Sequence, residues 1–551
     1  MDFEKILFKC GDASRYQILM LGLFGYIGFT STIHYYSQNI ISFVPGHWCY
    51  HKQLEDKTFE EIASIYAQFG SKASCSRVET VDGHNFTLSS DRCERWIYNY
   101  DYGFKSITTE MNWVCDDAYK VRIGQSFFFI GSLLGTWIFG QMGDRFGRLP
   151  ILILANMFGF VGDLSTSFAK DVLQFAICRF ISGSSATANF YLMFTLVLEY
   201  VAPRLRNMHF SCTMAISTFL GALAASWLAV WAGNWRSYLA CTSLALLAII
   251  LFYFVVQESA QWLITRNDIE GATKRLKHIA NFNRRQLPVE DWDEFRSHCI
   301  EKRKEMELRK DQNVKLLDTL RMPRLRRTIL AAIFTFMMNS LAFNTISRNV
   351  EGLGMSPFIV FSLFALTIPP SGLIQGLMLN RFGRKGTAFL AMMSTGLLAL
   401  TVGIIQCFDV KGIAMLLALA LPMRLGASMC YSTASQYLSE VMPTCVRSRG
   451  IATAHVAGAA ASSLSPYLIH LGLKLRAGPS LVLVVVLMSA AAATLMLPET
   501  NKRQLPITLE DGELFGKDES IFTFQCIKRK NSDVQPHLEE LETFQTKSDA
   551  A

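Results

Sequence analysis

Twelve long apolar stretches, separated mostly by short polar connections, dominate this sequence of 551 residues. Hydrophobic residues make up 51% of the chain and charged residues only 18%. A helix needs about 20 consecutive apolar residues to cross a bilayer, and most of the stretches reach that length. The sequence therefore predicts an all-α membrane protein with twelve transmembrane helices. The stretches, numbered spans 1 to 12, are residues 16–42, 122–141, 150–168, 172–200, 208–231, 236–257, 327–350, 356–378, 386–406, 411–438, 450–474 and 479–497.

The chain also repeats itself. The segments Gly140 to Arg148 and Gly376 to Arg384 share the pattern Gly-x-Met-x-x-Arg-Phe-Gly-Arg and begin 236 residues apart. Each segment follows one apolar stretch and precedes the next, which is typical of transporters built from two related halves. Other matched residues lie 241 positions apart, namely Glu199 with Glu440, Arg206 with Arg447 and Glu258 with Glu499, while Arg179 and Arg424 pair more loosely.

The repeated motifs predict a cluster of charges at one end of each half. Gly143 and Gly147 allow a tight turn and a close approach of two helices. Acidic and basic side chains can then pair across neighbouring helices, and these gating pairs must break when that end opens. The alternative is that the charges only fix topology, but arginine alone would serve that purpose. Asn380 replaces the aspartate of the first copy, so we expect the second cluster to be weaker. The predicted clusters comprise Asp144, Arg145, Arg148, Glu199, Arg206 and Glu258, and Arg381, Arg384, Glu440, Arg447 and Glu499.

Basic residues are concentrated in the connections after spans 2, 4, 8 and 10 and are almost absent after spans 3, 5 and 7. The positive-inside rule then predicts a plasma-membrane protein with both termini cytoplasmic and span 1 retained as an anchor. The net charge of +8 fits loops beside anionic lipid rather than nucleic-acid binding. The predicted parts are a cytoplasmic N-terminus (1–15), an N-terminal six-helix bundle (16–257) with an extracellular loop (43–121), a cytoplasmic central loop (258–326), a C-terminal six-helix bundle (327–501) and a disordered cytoplasmic tail (502–551).

The loop 43–121 carries its own signals. Its four cysteines, an even number in an oxidising compartment, predict two disulfides, and three pairings are possible. The sequon Asn85-Phe86-Thr87 lies in the same loop and predicts N-glycosylation at Asn85. The cysteines are Cys49, Cys75, Cys93 and Cys115.

Several short motifs are shared with a known family. They are Phe43-Val44-Pro45-Gly46-His47-Trp48-Cys49, Trp113-Val114-Cys115, Gln125-Ser126, Gly143-Asp144-Arg145-Phe146-Gly147-Arg148, Glu258-Ser259-Ala260-Gln261-Trp262-Leu263 and Leu497-Pro498-Glu499-Thr500. Over roughly residues 15–505 the chain resembles the organic cation/anion/carnitine transporter family of the major facilitator superfamily. The motifs at the cytoplasmic end are shared with sugar porters and indicate only the superfamily. The long cysteine-bearing loop ending in Trp-Val-Cys narrows the resemblance to this family. It implies two six-helix bundles that transport small organic ions by alternating access.

The resemblance also implies an aromatic central cavity. Aromatic faces suit organic cations and flat ring compounds. For each ring separately, helix packing or lipid contact remains an alternative. The matching positions are Tyr35, Phe190, Phe194, Phe336, Phe343 and Tyr431.

The positions that carry selecting charges in the family are uncharged here. They correspond to Ala459 in span 11, and to Gly372 and Ile368 in span 8. His455, one helical turn before Ala459, is either a titratable group of the cavity or a structural hydrogen-bonding residue. Cations or zwitterions are therefore favoured over dianions, with His455 and Ala459 as further substrate-binding candidates. The other intramembrane charges, Asp163 and Arg179, are functional candidates by their location.

The sequence points to a carrier, not an enzyme. It contains no G-x-x-x-x-G-K-[ST] loop, no metal constellation and no nucleophile triad, so we expect no catalytic residues, no metal and no cofactor. The expected partners are a small organic ion and the lipid bilayer, with the oligomeric state open. Two alternatives remain: a sugar-type porter, and a non-transporting receptor on a transporter scaffold.

Overall fold

The computed structural model describes most of the chain between residues 3 and 519. The parts not described are residues 12–13, 55–56, 70–72, 82–84, 201–202, 309–315, 349–354, 409–412, 444, 475–476, 502, 504, 507, 518 and 520–551. Most of the predicted tail, 502–551, therefore lies outside the described residues. The backbones of Asn85 and Arg206 are described but their side chains are not.

The helices follow the predicted order of spans. Within the described residues, ten segments are long and apolar enough to cross a membrane. One of them, Pro357–Cys407, contains both predicted spans 8 and 9. Span 11, rich in alanine and serine, forms the two shorter helices Arg447–Ser462 and Ser465–Lys474. The other span helices are Arg15–Ile41, Tyr119–Phe146, Arg148–Thr166, Val172–Ala186, Ala188–Tyr200, Pro203–Ala232, Trp235–Leu247, Ala248–Leu251, Phe252–Val255, Pro323–Arg348, Pro357–Leu366, Ile368–Cys407, Ile413–Val441 and Gly478–Leu495.

Both repeated motifs form sharp turns at a glycine. Gly147 has φ 106° and separates spans 2 and 3, while Gly383 has φ 74° and interrupts the helix Ile368–Cys407. Glycine adopts such angles with little strain because it has no Cβ. A Cβ at Gly147 would also lie 2.6 Å from Glu258 Oε2, so the turn leaves no space for a side chain.

The two ends of the helix bundle carry different features, from which we name them. The loop end carries residues 43–118, and the motif end carries the two glycine turns. The N-terminal helix Phe3–Cys10 and the central helices Ile269–Phe282 and Val289–Leu308 pack against the motif end of the first half. Asn283 joins them, accepting the Tyr16 N–H at 2.9 Å. The remaining helices of the central and C-terminal segments are Ala260–Thr265, Leu316–Arg321 and Leu509–Leu514.

Residues 43–118 form a small folded unit with two antiparallel strand pairs. The pairs are Gly46–Cys49 with Trp96–Asn99, and Ser76–Val81 with Asn85–Arg92. Two disulfides are present, as the sequence predicts, and they settle the pairing left open by the sequence: Cys49 with Cys93 and Cys75 with Cys115. The short helices of the unit are Lys52–Leu54, Phe59–Ala67, Ala73–Cys75, Asp101–Gly103, Ile107–Glu110 and Cys115–Ala118.

Removing one of these disulfides should reduce the amount of protein at the cell surface. We expect Cys49→Ser and Cys115→Ser each to destabilise the unit by about 2–4 kcal/mol, because the unfolded loop is no longer constrained. Surface biotinylation measures the loss. The control is Cys445→Ser, which changes an exposed free cysteine. Surface levels of both loop variants equal to the control would contradict a stabilising role.

Candidate functional site: the path between the two halves

The two halves touch each other towards the loop end. Ser126 of span 2 donates a hydrogen bond to the Ser463 carbonyl of span 11 at 3.0 Å. Arg424 Nη2 of span 10 donates to the Tyr36 hydroxyl of span 1 at 3.1 Å. One buried apolar cluster contains residues of both halves, including Ile40 and Phe358. The loop end is therefore closed in this structure.

The first predicted charge cluster is assembled at the motif end around Arg148. Its guanidinium forms an ion pair with Glu199. Glu258 accepts the backbone N–H groups of Arg148 and Leu149 at 3.1 and 3.0 Å, which caps the start of span 3. Asp144 lies at the edge, with a 78% exposed side chain 3.8 Å from Arg148. Glu258 thus stabilises a helix start as well as a cluster of charges.

The second half repeats this arrangement. Arg384 Nε donates to Glu440 at 3.0 Å. Glu499 accepts the backbone N–H groups of Arg384 and Lys385 at 2.9 and 3.1 Å. In both halves, therefore, the last arginine of the repeated motif pairs with one glutamate, and a second glutamate accepts two backbone N–H groups.

Three predicted cluster members lie elsewhere in the structure. The guanidinium of Arg145 lies over the Phe146 ring, and that of Arg381 lies over the Phe382 ring. Arg447 Nε donates to the Met442 carbonyl at 3.2 Å. In the described part of the chain, these three arginines therefore contact neighbouring rings and backbone, not the carboxylates of the two clusters.

The structure brings four of the substrate candidates together in the C-terminal half. The ring centroids of Phe336 and His455 are 4.7 Å apart, and those of Phe336 and Tyr431 are 5.6 Å apart. Phe343 lies 5.1 Å from Tyr431. We call these four rings, which come from spans 7, 10 and 11, the aromatic cluster.

The other aromatic candidates form two separate groups. Phe190 and Phe194 stack at 5.8 Å and pack against the core at the motif end, with Phe24 5.8 Å from Phe190. The Tyr35 hydroxyl bonds to the amide oxygen of Asn344, across the boundary between the halves. The six aromatic residues predicted to bind substrate therefore do not surround a single cavity.

The positions predicted to lack selecting charges have different surroundings. Ala459 and Ile368 are partly buried. The neighbouring Gly458 packs closely, since a Cβ there would lie 2.9 Å from the Phe336 ring. A Cβ at Gly372 would meet no atom within 4 Å. Position 459 therefore adjoins the aromatic cluster, and position 372 faces open space.

A buried charge network in the N-terminal half includes one residue that the sequence analysis missed. Asp163 accepts from Arg179 Nη2 at 2.5 Å and from the Ser182 hydroxyl at 2.7 Å. Its second oxygen lies 2.6 Å from Nδ1 of His34, the missed residue. The signal was available, because an ionisable side chain inside an apolar stretch is a functional candidate by default.

Three further buried arginines differ from Arg179. Arg424 contacts the hydroxyls of Ser428 and Tyr36, and its guanidinium lies 4.6 Å above the Phe343 ring. The other two, Arg122 and Arg348, line one cavity at the loop end. In the part of the chain that the structure describes, none of the three forms an ion pair with a carboxylate. Fixed positive charge therefore faces the path between the halves.

Known proteins show the same architecture. The inward-open xylose transporter of Escherichia coli superposes with a TM-score of 0.57 at 15% identity, covering 90% of this chain and 100% of that chain. A partially occluded inward-open structure of that transporter gives 0.58, also at 15% identity, covering 89% and 99%. These likenesses support the predicted twelve-helix fold.

Relatives with similar sequences cover nearly the whole chain. Organic cation transporter 1 of Caenorhabditis elegans is 28% identical over 98% of this chain and 93% of that protein. Human Solute carrier family 22 member 7 is 27% identical, over 93% and 96%. The Beta-alanine transporter of Drosophila melanogaster is 25% identical, over 93% and 89%.

The family model described as Major Facilitator Superfamily matches residues 117–466, which is more than half of the chain and reaches into both halves. With its duplicated helices and paired glycine turns, the chain belongs to the Major Facilitator Superfamily, as the sequence predicts.

Proposed function

We propose that this protein transports small organic cations or zwitterions by alternating access. The observation that carries the proposal is the position of the aromatic cluster beside the boundary between the halves. Tyr35 of the first half bonds to Asn344 of the second, and the adjacent Phe343 contacts Tyr431. Aromatic faces attract organic cations, and a site between two rocking halves is reached from either side in turn. The names of the relatives, organic cation transporter and beta-alanine transporter, support both substrate classes.

The closed loop end supports the proposed movement. Opening that end must break the Ser126 hydrogen bond to Ser463 and the Arg424 hydrogen bond to Tyr36. The charge clusters around Arg148 and Arg384 each lie within one half. Each half can therefore move as a unit while the contacts between the halves exchange.

Within these two classes, the electrostatics favour a zwitterion. The positive charge of Arg424 lies over Phe343, within the aromatic cluster, and its hydrogen-bond partners Ser428 and Tyr36 are neutral. A cation alone would be repelled there, whereas a carboxylate on the same substrate would offset the repulsion. An amine with a carboxylate is thus the expected cargo.

The proposed orientation places the loop end outside the cell and both termini inside, in the plasma membrane. The basic connections of spans 2, 4, 8 and 10 support this arrangement. So do the two disulfides, which persist in oxidising compartments, and the sequon at Asn85.

Glycosylation at Asn85 tests the orientation. Protein expressed in mammalian cells should give a band that shifts on glycosidase treatment, because the sequon faces the secretory lumen during synthesis. Asn85→Gln should remove the shift, whereas Asn99→Gln, an amide change outside any sequon, should retain it. An unshifted wild-type band in glycosylation-competent cells would contradict the placement.

Uptake measurements test the transport proposal. We expect cells expressing the protein to take up radiolabelled β-alanine or tetraethylammonium and to take up little succinate or glucose. Phe343→Leu should reduce uptake about fivefold, because one cation–π contact of about 1 kcal/mol is lost. The matched control is Tyr253→Leu, which removes a ring 66% exposed at the protein surface. Glucose uptake would favour the sugar-porter alternative, and no uptake by surface-delivered protein would favour the receptor alternative.

A further inference from the structure

Two arginines from opposite halves line one cavity near the closed loop end. Arg122 lies in the first turn of span 2, and Arg348 is the last residue of the span 7 helix. The amide side chains of Asn39 and Gln125 line the same cavity. Neither arginine occupies position 372 or 459, where the family resemblance would have placed a charge.

Among the residues that the structure describes, both arginines are buried without a counter-ion. Each is only 7% exposed. None of the three guanidinium nitrogens of Arg348 has a hydrogen-bond partner among the described residues, and Nε of Arg122 lacks one too. The cavity also contains unpartnered amide atoms, both polar atoms of Asn39 and Oε1 of Gln125. Several buried hydrogen-bond donors and acceptors therefore line this cavity without a partner among the described residues.

A comparison within the same protein shows what is missing. Arg179 is buried even more completely, but it binds the carboxylate of Asp163 at 2.5 Å. A buried guanidinium is normally paired in this way because removing an isolated charge from water is costly. Two carboxylate oxygens match the paired N–H donors of a guanidinium. An anionic ligand would supply for Arg122 and Arg348 what Asp163 supplies for Arg179.

We propose that Arg122 and Arg348 bind the carboxylate of a small organic molecule at the loop end of the pathway. This inference deepens the proposed function, on which its transport consequence rests. Arg348 lies over the Phe129 ring, and Phe129 contacts Tyr35, which bonds to Asn344 beside the aromatic cluster. Tyr35 also contacts Tyr36, which accepts from Arg424 above the Phe343 ring, so side-chain contacts connect the carboxylate site to the aromatic cluster.

The site also couples binding to closure. One arginine belongs to each half, so an anion bound to both draws the halves together at the loop end. In the absence of the anion, the two like charges repel each other across the boundary. A bound carboxylate therefore stabilises the state in which the loop end is closed.

Ligand-dependent melting of the purified full-length protein tests the site without requiring transport. Sodium propionate, compared with sodium chloride at equal ionic strength, should raise the melting temperature of the wild type by about 2 °C. Arg348→Gln and Arg122→Gln should abolish this rise, and Arg348→Lys should retain part of it. The matched control Arg321→Gln removes an arginine whose side chain is 85% exposed, and it should respond like the wild type. Equal melting temperatures in propionate and chloride would show no preference for a carboxylate and would overturn the assignment.

A second readout separates binding from a purely structural role. Without propionate, Arg348→Met should melt at or above the wild-type temperature, because it replaces an uncompensated charge with an apolar side chain. A structural arginine would give a lower melting temperature. A lower melting temperature together with a retained propionate response would overturn the proposal. If Arg348→Met does not fold, Arg122→Gln carries the same propionate comparison.

Uptake then connects the site to transport. Arg348→Gln should reduce β-alanine uptake about tenfold or more and tetraethylammonium uptake by a much smaller factor, because only β-alanine carries a carboxylate. Equal effects on both probes would show that Arg348 does not recognise the carboxylate. Wild-type protein that responds to propionate but takes up neither probe would overturn the proposed function and leave the binding site in place.

Discussion

Asp163→Ala should destabilise the folded protein by about 3–5 kcal/mol, because it leaves buried partners uncompensated. The Asp163 carboxylate is 1% exposed and contacts both Arg179 and His34. Such a loss is a large fraction of the stability of a typical folded protein. Little of the variant should reach the cell surface, and the detergent-solubilised fraction should elute as aggregate in size-exclusion chromatography.

A paired replacement distinguishes lost charge balance from lost packing. Asp163→Leu combined with Arg179→Met removes both charges, so it should recover much of the stability that Asp163→Ala loses. A double variant as unstable as the single one would show that the network does not act through charge compensation.

The matched single control is Asp144→Ala. Its side chain is 78% exposed and lies 3.8 Å from Arg148, so the variant should fold and reach the surface. Its turnover should nevertheless fall severely, because Asp144 is one of the predicted gating charges and pairs with Arg148. Asn380→Ala should have a milder effect, since no full charge is lost there.

The second large effect is expected at Glu258. Glu258→Ala removes the acceptor for the N–H groups of Arg148 and Leu149, which begin the span 3 helix. Losing a charged cap with two backbone bonds should cost about 2–4 kcal/mol. The melting temperature of the purified protein and its surface level should both fall.

The internal repeat provides a matched comparison. Glu499→Ala removes the same contact from the N–H groups of Arg384 and Lys385 and should show a similar loss. Glu258→Gln retains one acceptor oxygen and should lie between the alanine variant and the wild type. If Glu258→Ala melted like the wild type while Glu499→Ala did not, the equivalence of the two caps would be wrong.

Much of the helix arrangement follows from the apolar stretches alone, because length and hydropathy determine which segments can cross a bilayer. The glycine turns are also predictable, since Gly147 and Gly383 recur at matched positions. Spans 8 and 9 meet at Gly383 in the same way that spans 2 and 3 meet at Gly147, as the repeat predicts.

The candidate site is less predictable for physical reasons. Arg122 and Arg348 lie at the ends of apolar stretches, where arginine usually reaches the water interface. In the folded chain, however, both are buried and line one cavity between the halves. Likewise, periodicity cannot show that Phe190 and Phe194 pack near the motif end while Phe336 and Phe343 lie farther along the path. Glu258 lies beside Arg148, but its bonds to the backbone of Arg148 and Leu149 depend on the local turn, which the sequence pattern does not give.

The crossing pattern of the two disulfides has a practical consequence for proteolysis. Cys75 lies between Cys49 and its partner Cys93, and Cys93 lies between Cys75 and its partner Cys115. A single peptide-bond cleavage anywhere from Cys49 to Cys115 therefore leaves both fragments covalently linked. A cleaved molecule migrates as one chain on a non-reducing gel and as two after reduction. Release of the unit from the two helices that flank it, Arg15–Ile41 and Tyr119–Phe146, requires cleavage at more than one place.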